Sequence, residues 1–161
     1  MRYFAYGTTQ QGFPHHRALG LGEPVARLRV LGGHGIVVPR EPACSNPACR
    51  YLHRMAVLCQ GTWTLQPEGD VFEIDEAMLA KLDTLELAGP YSRVAVDLSD
   101  GSPAIAYRAV PPLPWINLAT VGLADVVDVY EHAETVLKPC CQADPGHDGA
   151  HDVKDPLDPD R

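Results

Sequence analysis

The stretch RYFAYGTTQQGFPHH, residues 2–16, decides how the rest of the chain is read. Residues 2–7 read as a strand: after Arg2 they are aromatic and apolar, and the run stops abruptly at Gly7. Small polar residues follow, then Pro14 and two histidines. A strand ended by glycine is an ordinary turn signal. It is also a geometry in which successive backbone N–H groups converge on an anion or a carbonyl oxygen. Gly7 lets the chain bend where a side chain would clash, and the Thr8 and Thr9 hydroxyls add donors. Both readings of the turn stand at this point. His15 and His16 are open in the same way, as exposed turn residues or as residues at the mouth of a pocket.

Outward from this strand the pattern is one of short strands. VARLRVL, residues 25–31, alternates apolar and basic side chains with a period of two. HGIVVP, residues 34–39, is a short strand ended by proline, and AVLCQGTWTL, residues 56–65, fits a longer one with a bulge at Gly61. Next comes a helix, in EIDEAMLAKLDTLELAGP, residues 73–90. Asp75 is its N-cap, Glu76 an acidic first-turn residue, and Met78, Leu79, Leu82 and Leu85 form one apolar stripe. The helix is predicted to stop near Glu86 or Leu87, with Gly89 as a C-terminal cap and Pro90 unable to continue it. YSRVAVDL and AIAYRAV then alternate as a hairpin around Ser-Asp-Gly-Ser, residues 99–102, and residues 123–137 read as a second amphipathic helix. Many short strands with one central and one terminal helix predict an α+β fold, a small curled sheet or barrel, and not a doubly wound parallel sheet.

The chain of 161 residues is long enough for one well-filled core, and 45% hydrophobic with 21% charged residues is ordinary for a globular protein. A net charge of −8 argues against nucleic acid or an anionic membrane as partner, since both need a basic face. No apolar run approaches the roughly 20 residues that span a bilayer. MRYFAYGTT lacks the apolar region and cleavage site of a signal peptide, so the expected location is the cytoplasm. Much of the acidity lies after Pro139, where six aspartates face only Lys154 and Arg161. Residues 1–138 are read as a single domain and 139–161 as a flexible, solvated acidic tail.

Five cysteines without a secretory signal suggest reduced thiols. Cys44, Cys49 and His53 have the look of a zinc half-site, with Cys140 or Cys141 as further ligands. A fourth ligand so far away weakens that reading, and an inserted loop with reduced thiols, or with a local disulfide, is the alternative. The expectation is no metal and no cofactor. Trp63 and Trp115 are expected to pack in the core or over the barrel end, and His132, His147 and His151 are given no role.

Glu86 is the second candidate for chemistry. It follows the core-facing Leu82 and Leu85 in the last helical turn, where the negative end of the helix dipole disfavours a carboxylate. Partial burial there adds to the effect, and both raise its pKa, which suits a group that takes a proton and returns it. The alternative is a solvated helix-end glutamate.

The order YFAYGTT, GTWTL, LDTLE, YSRVAV and AIAYRA, over residues 2–110, resembles the gamma-glutamylcyclotransferase-like superfamily. Its members carry an aromatic strand ending in Tyr-Gly-Ser/Thr, a Leu-Asp-x-x-Glu helix end and a Tyr-x-Arg strand. The resemblance implies a small mixed β-barrel flanked by helices. It also implies an intramolecular reaction, in which the α-amine of a γ-glutamyl group attacks its own γ-carbonyl and releases 5-oxoproline and a free amine. On this sequence the family's catalytic glutamate falls on Glu86, its substrate-cradling loop on Tyr6, Gly7, Thr8 and Thr9, and its substrate-binding tyrosine on Tyr91. The partner implied is a small γ-glutamyl amine or amino acid; oligomeric state stays open, a homodimer included. Some members remove a γ-glutamyl protecting group during antibiotic biosynthesis, as in the butirosin pathway; the alternatives are turnover of γ-glutamyl amino acids or glutathione, or a related acyl transfer on the same scaffold. A non-catalytic member would use the same pocket to bind a metabolite or partner. Two departures bear on substrate choice: Thr9 stands where the family usually has Leu or Asn, and Leu87 where many members have glycine.

Overall fold

A computed structural model describes residues 1–37, 57–61, 65–88, 91–110 and 126–127 of the chain. The strands are β1 (Arg2–Ala5), β2 (Ala26–Arg29), β3 (His34–Val37), β4 (Val57–Gln60), β5 (Glu68–Glu73), β6 (Tyr91–Asp97), β7 (Pro103–Ala109) and β8 (Val126–Val127). Among the described residues two helices accompany them, α1 (Pro14–Leu19) and α2 (Glu76–Glu86). Among the described residues no helix is long and apolar enough to cross a membrane.

The strands form two sheets. One has five strands in the order β2-β5-β1-β7-β6, and the other three in the order β4-β3-β8. The larger sheet is mixed: β1 runs antiparallel to β5 and parallel to β7. Its middle strand is thus the N-terminal one, buried at Tyr3, Phe4 and Ala5.

The expected barrel is not formed. Among the described residues, the two edges of the larger sheet meet only at one corner, through an isolated bridge between Val30 and Leu98. There the Leu31 N–H donates to Asp97 O and the Ser99 N–H to Arg29 O, both at 2.8 Å. A barrel needs a continuous ladder along the closing edges, and β2 has only four residues to offer. The second sheet covers the open side instead. Its Ile36 and Leu58 pack in one core cluster with Phe4, Val71, Val96 and Ala106 of the first. The α+β class stands; the closure does not.

Several local expectations also change. Asp75 caps α2 as expected, its side chain accepting from the Met78 N–H at 2.8 Å, and the helix ends at Glu86. The hairpin pairs Tyr91 with Ala109 through to Asp97 with Pro103. The strand expected over 56–65 ends at Gln60, and Gly61 is no bulge within it; its N–H donates to Gly33 O at 2.8 Å just past the strand end. Val126 and Val127 pair with Val37 and Ile36 as β8, in place of the helix expected over 123–137, whose other residues lie outside those described. Gly89, Pro90, Trp63, Trp115, His132 and the segment 139–161 also lie outside them.

Two elements went unread. α1 has only six residues, and its N-cap Phe13 offers no side-chain hydrogen bond. β5 contains two acidic residues and a glycine in its first three positions, yet lies inside the sheet. Gly69 is what permits it: a Cβ there would stand 2.3 Å from Ala5 O and 2.7 Å from the Phe4 ring.

Candidate active site

A second core cluster, on the helical side of the larger sheet, contains Tyr3, Phe72, Leu82 and Tyr107, with Leu85 and Tyr91 packed against it. It includes neighbours of both pieces singled out in the sequence, the loop after β1 and the end of α2.

The loop starts as a tight turn, in which the Gln10 N–H donates to Gly7 O at 3.0 Å. Thr9 and Gln10 are both buried, each 3% exposed, so the loop folds inward. Thr9 Oγ1 lies 2.7 Å from the Tyr3 hydroxyl, and the Thr8 hydroxyl lies 2.7 Å from His15 Nδ1. Further along, the Gln11 N–H donates at 2.8 Å to Asp70 Oδ2, a buried carboxylate on β5. Gly7 has no positive φ, and among the described residues nothing lies within 4 Å of where its Cβ would be. The expected steric reason for glycine is therefore corrected. Among the described residues the space beside Gly7 is open, and none of them bars a ligand from its backbone.

Glu86 ends α2 and keeps part of its surface accessible. Desolvation of its carboxyl raises the pKa to about 7. Around it stand tyrosines from three strands. Tyr3, Tyr6 and Tyr107 are all raised above the usual phenol range, first by burial and further by the Glu86 charge. Tyr91 adds to the shift of Tyr6. Phenols held this high stay protonated and remain hydrogen-bond donors through the neutral range.

The tyrosine hydroxyls are tied down. Tyr6 donates to Tyr107 O at 2.9 Å and is also reached by the Leu58 backbone. Tyr107 donates to Asp83 Oδ1 at 2.7 Å. Its ring meets that of Tyr3 edge-on, with centroids 6.1 Å apart. Asp83 Oδ2 accepts from Arg93 at 2.8 Å. A titratable carboxylate thus lies in a low-dielectric setting whose walls are fixed by hydrogen bonds.

The family model described as "Gamma-glutamyl cyclotransferase, AIG2-like" matches residues 3–116, which contain every element of this site. The chain belongs to that family. Three solved structures resemble this family member in fold. An AIG2-like protein from Mus musculus shares 22% identity at a TM-score of 0.51, over 81% of this chain and 87% of that one. An uncharacterised protein from Pyrococcus horikoshii shares 17% at 0.50, over 68% and 77%. The third is allophanate hydrolase from Kluyveromyces lactis, at 13% and 0.53, where 68% of this chain spans only 17% of the other. No curated protein matches the sequence.

In this AIG2-like domain the sequence-derived residues come together only in part as expected. Tyr6, Tyr91 and Glu86 share one electrostatic neighbourhood. Gly7 and Thr8 lie in the loop, half-buried, whereas the Thr9 hydroxyl is directed to Tyr3. Of the two histidines only His15 is bonded to the loop through its side chain. His16 donates from Nε2 to Gly22 O at 3.0 Å, and its ring lies on Phe72. Tyr3, Asp70, Asp83 and Tyr107 were not singled out. Asp83 stands three residues before Glu86, hence on the same side of the helix, and that spacing was a signal available in LDTLE. The Cys44, Cys49, His53, Cys140 and Cys141 set lies outside the described residues; Cys59 is a buried free thiol, raised by burial to about 11.

Proposed function

We propose that this protein is a γ-glutamyl cyclotransferase, with Glu86 as its proton shuttle. One observation carries the reading: a carboxyl raised to about 7 by burial stands among Tyr3, Tyr6 and Tyr107, and the Gly7–Thr9 loop is bonded to that same Tyr3. A group that titrates near neutrality can both accept and return a proton without a large free-energy gap in either direction.

The substrate's α-amine reaches the protein mostly as an ammonium ion. The Glu86 carboxylate takes one proton, and the freed nitrogen attacks the γ-carbonyl carbon of the same molecule. A five-membered ring closes around a tetrahedral carbon bearing an oxyanion. Backbone N–H groups of the Gly7–Thr9 loop stabilise that oxyanion or hold the substrate's carboxylate. The intermediate collapses as protonated Glu86 gives its proton to the side-chain amide nitrogen, whose bond to carbon breaks; the regenerated carboxylate then takes the second proton from the ring nitrogen and passes it to the released amine. The products are 5-oxoproline and a free amine, and no water is consumed. Nucleophile and electrophile share one molecule, so the protein's main task is to hold the extended glutamyl chain in a cyclising shape. The space that the described residues leave at Gly7 and the fixed tyrosine walls suit that task.

The test is to incubate the protein with a panel of γ-glutamyl amines and amino acids and to assay 5-oxoproline. Release from at least one member, lost in Glu86→Gln, is the expected result. Absence of release from every member would favour a binding role for the same pocket.

A further inference from the structure

Asp83 makes two hydrogen bonds that the proposed chemistry does not use. Oδ1 accepts from the Tyr107 hydroxyl at 2.7 Å and Oδ2 from Arg93 Nη1 at 2.8 Å. These two donors are not independent. Arg93 and Tyr107 are register partners across the β6–β7 hairpin, so one carboxylate spans both strands. Tyr107 is 1% exposed, and its backbone carbonyl accepts from Tyr6 on the far side of the same hairpin strand. The last turn of α2 is thereby fastened to a rigid part of the sheet. Leu82 inserts into the core one residue before Asp83, and Glu86 follows one helical turn later.

We propose that Asp83 is a positioning residue: by clamping the Arg93–Tyr107 pair it fixes the end of α2 and so sets the place of the Glu86 carboxyl relative to the loop after β1. The proposal rests on the reading of Glu86 as proton shuttle, but its structural half can be tested without turnover. A helix end released from the hairpin lets the carboxyl swing toward water. Its proton affinity then falls toward that of an ordinary glutamate, and its distance to a bound substrate becomes variable. Misplacement of about 1 Å costs on the order of 10²-fold in rate. The Glu86 charge is felt by Tyr3 on β1, Tyr6 just after it and Tyr107 on β7; Tyr91 on β6 acts on Tyr6, and Asp83, on the same helix as Glu86, and Arg93 on β6 act on Tyr107.

The experiment uses Asp83→Asn and the milder Tyr107→Phe, which keeps the buried ring and loses only the hydroxyl. In each background the Glu86 titration is read from the pH dependence of the stability difference made by Glu86→Gln. Turnover is measured on the γ-glutamyl substrates as kcat and KM separately. We expect the titration midpoint to fall below its wild-type value in both backgrounds, kcat to drop on the order of tenfold or more in Asp83→Asn, and KM to change less than kcat. Arg93→Lys, which keeps a cation for Asp83, should retain more activity than Arg93→Ala. A clamp that serves stability alone would lower the melting temperature and leave both midpoint and kcat unchanged, and that result overturns the proposal. If the wild type releases no 5-oxoproline, the proposed reaction fails, while the midpoint in Tyr107→Phe still decides whether Asp83 positions Glu86.

Discussion

Thr9 Oγ1 lies 2.7 Å from the Tyr3 hydroxyl, and both side chains are buried. The residue that departs most from the family pattern therefore turns its hydroxyl into the protein, toward the strand that starts the chain. Removing either hydroxyl leaves the other without its partner in a dry setting, at a cost of about 1–3 kcal/mol. Thr9→Val and Tyr3→Phe should each destabilise by that amount, and the double variant by clearly less than their sum. Urea denaturation of the four proteins measures the coupling; additive losses would contradict it.

Gly7→Ala separates folding from binding. With φ negative and nothing within 4 Å of the new Cβ among the described residues, the folded chain accommodates alanine. Stability should hold or rise, by about 0.4–1 kcal/mol at most. KM should rise, because the methyl group occupies the space a substrate would use. A large loss of stability with unchanged KM would show that glycine serves the fold.

Gly69→Ala should behave in the opposite way. Its Cβ would press against Ala5 O at 2.3 Å and the Phe4 ring at 2.7 Å, and the carbonyl belongs to the middle strand of the sheet. Relief requires β1 and β5 to part, so a loss of about 1–3 kcal/mol or more is expected. Thermal denaturation checks it, and a variant as stable as wild type would contradict the packing described.

Glu86 should cost the protein stability above neutral pH. Its pKa is raised from 4.5 to about 7 by burial, so the folded state binds a proton that the unfolded state has already released. The favourable contribution of the neutral carboxyl is full below pH 4.5 and is lost as pH rises through about 7. The total is up to about 3 kcal/mol. Glu86→Gln removes the ionisation while keeping the shape. It should match the wild type near pH 4, exceed it in stability by up to that amount at pH 8, and be inactive. Equal stability of the two proteins at every pH would contradict the burial of the carboxyl.

The parts of this fold that were legible are those whose signals are local. β1 is marked by its aromatic run, α2 by the Asp75 cap and the stripe ending at Leu85, and the β6–β7 hairpin by alternation around a tight turn. β5 was hidden because its place inside the sheet depends on Gly69, whose necessity comes from Ala5 and Phe4, distant in sequence. Val126 and Val127 sit in an apolar pattern that suits a helix, and only pairing with β3 makes them a strand. Whether a sheet closes is equally non-local, since it depends on edges that meet here, among the described residues, through the Val30–Leu98 bridge.

The site divides along the same line. Glu86 was visible because a carboxylate at the end of an apolar helical stripe is at odds with its surroundings. Tyr3 and Tyr107 were not, because an inward-facing tyrosine in a strand looks like any core residue until its hydroxyl partner is known, and Asp70 was hidden with β5 itself.

The most direct measurement is the initial rate of 5-oxoproline release from γ-glutamyl amines, followed from pH 5 to 9 for the wild type and Glu86→Gln. The account predicts that kcat/KM of the wild type rises with pH through a limb near 7, the value burial gives Glu86. It predicts a loss of about 10²–10⁴-fold in the variant, the usual contribution of a positioned acid–base group. Full activity of Glu86→Gln would contradict it.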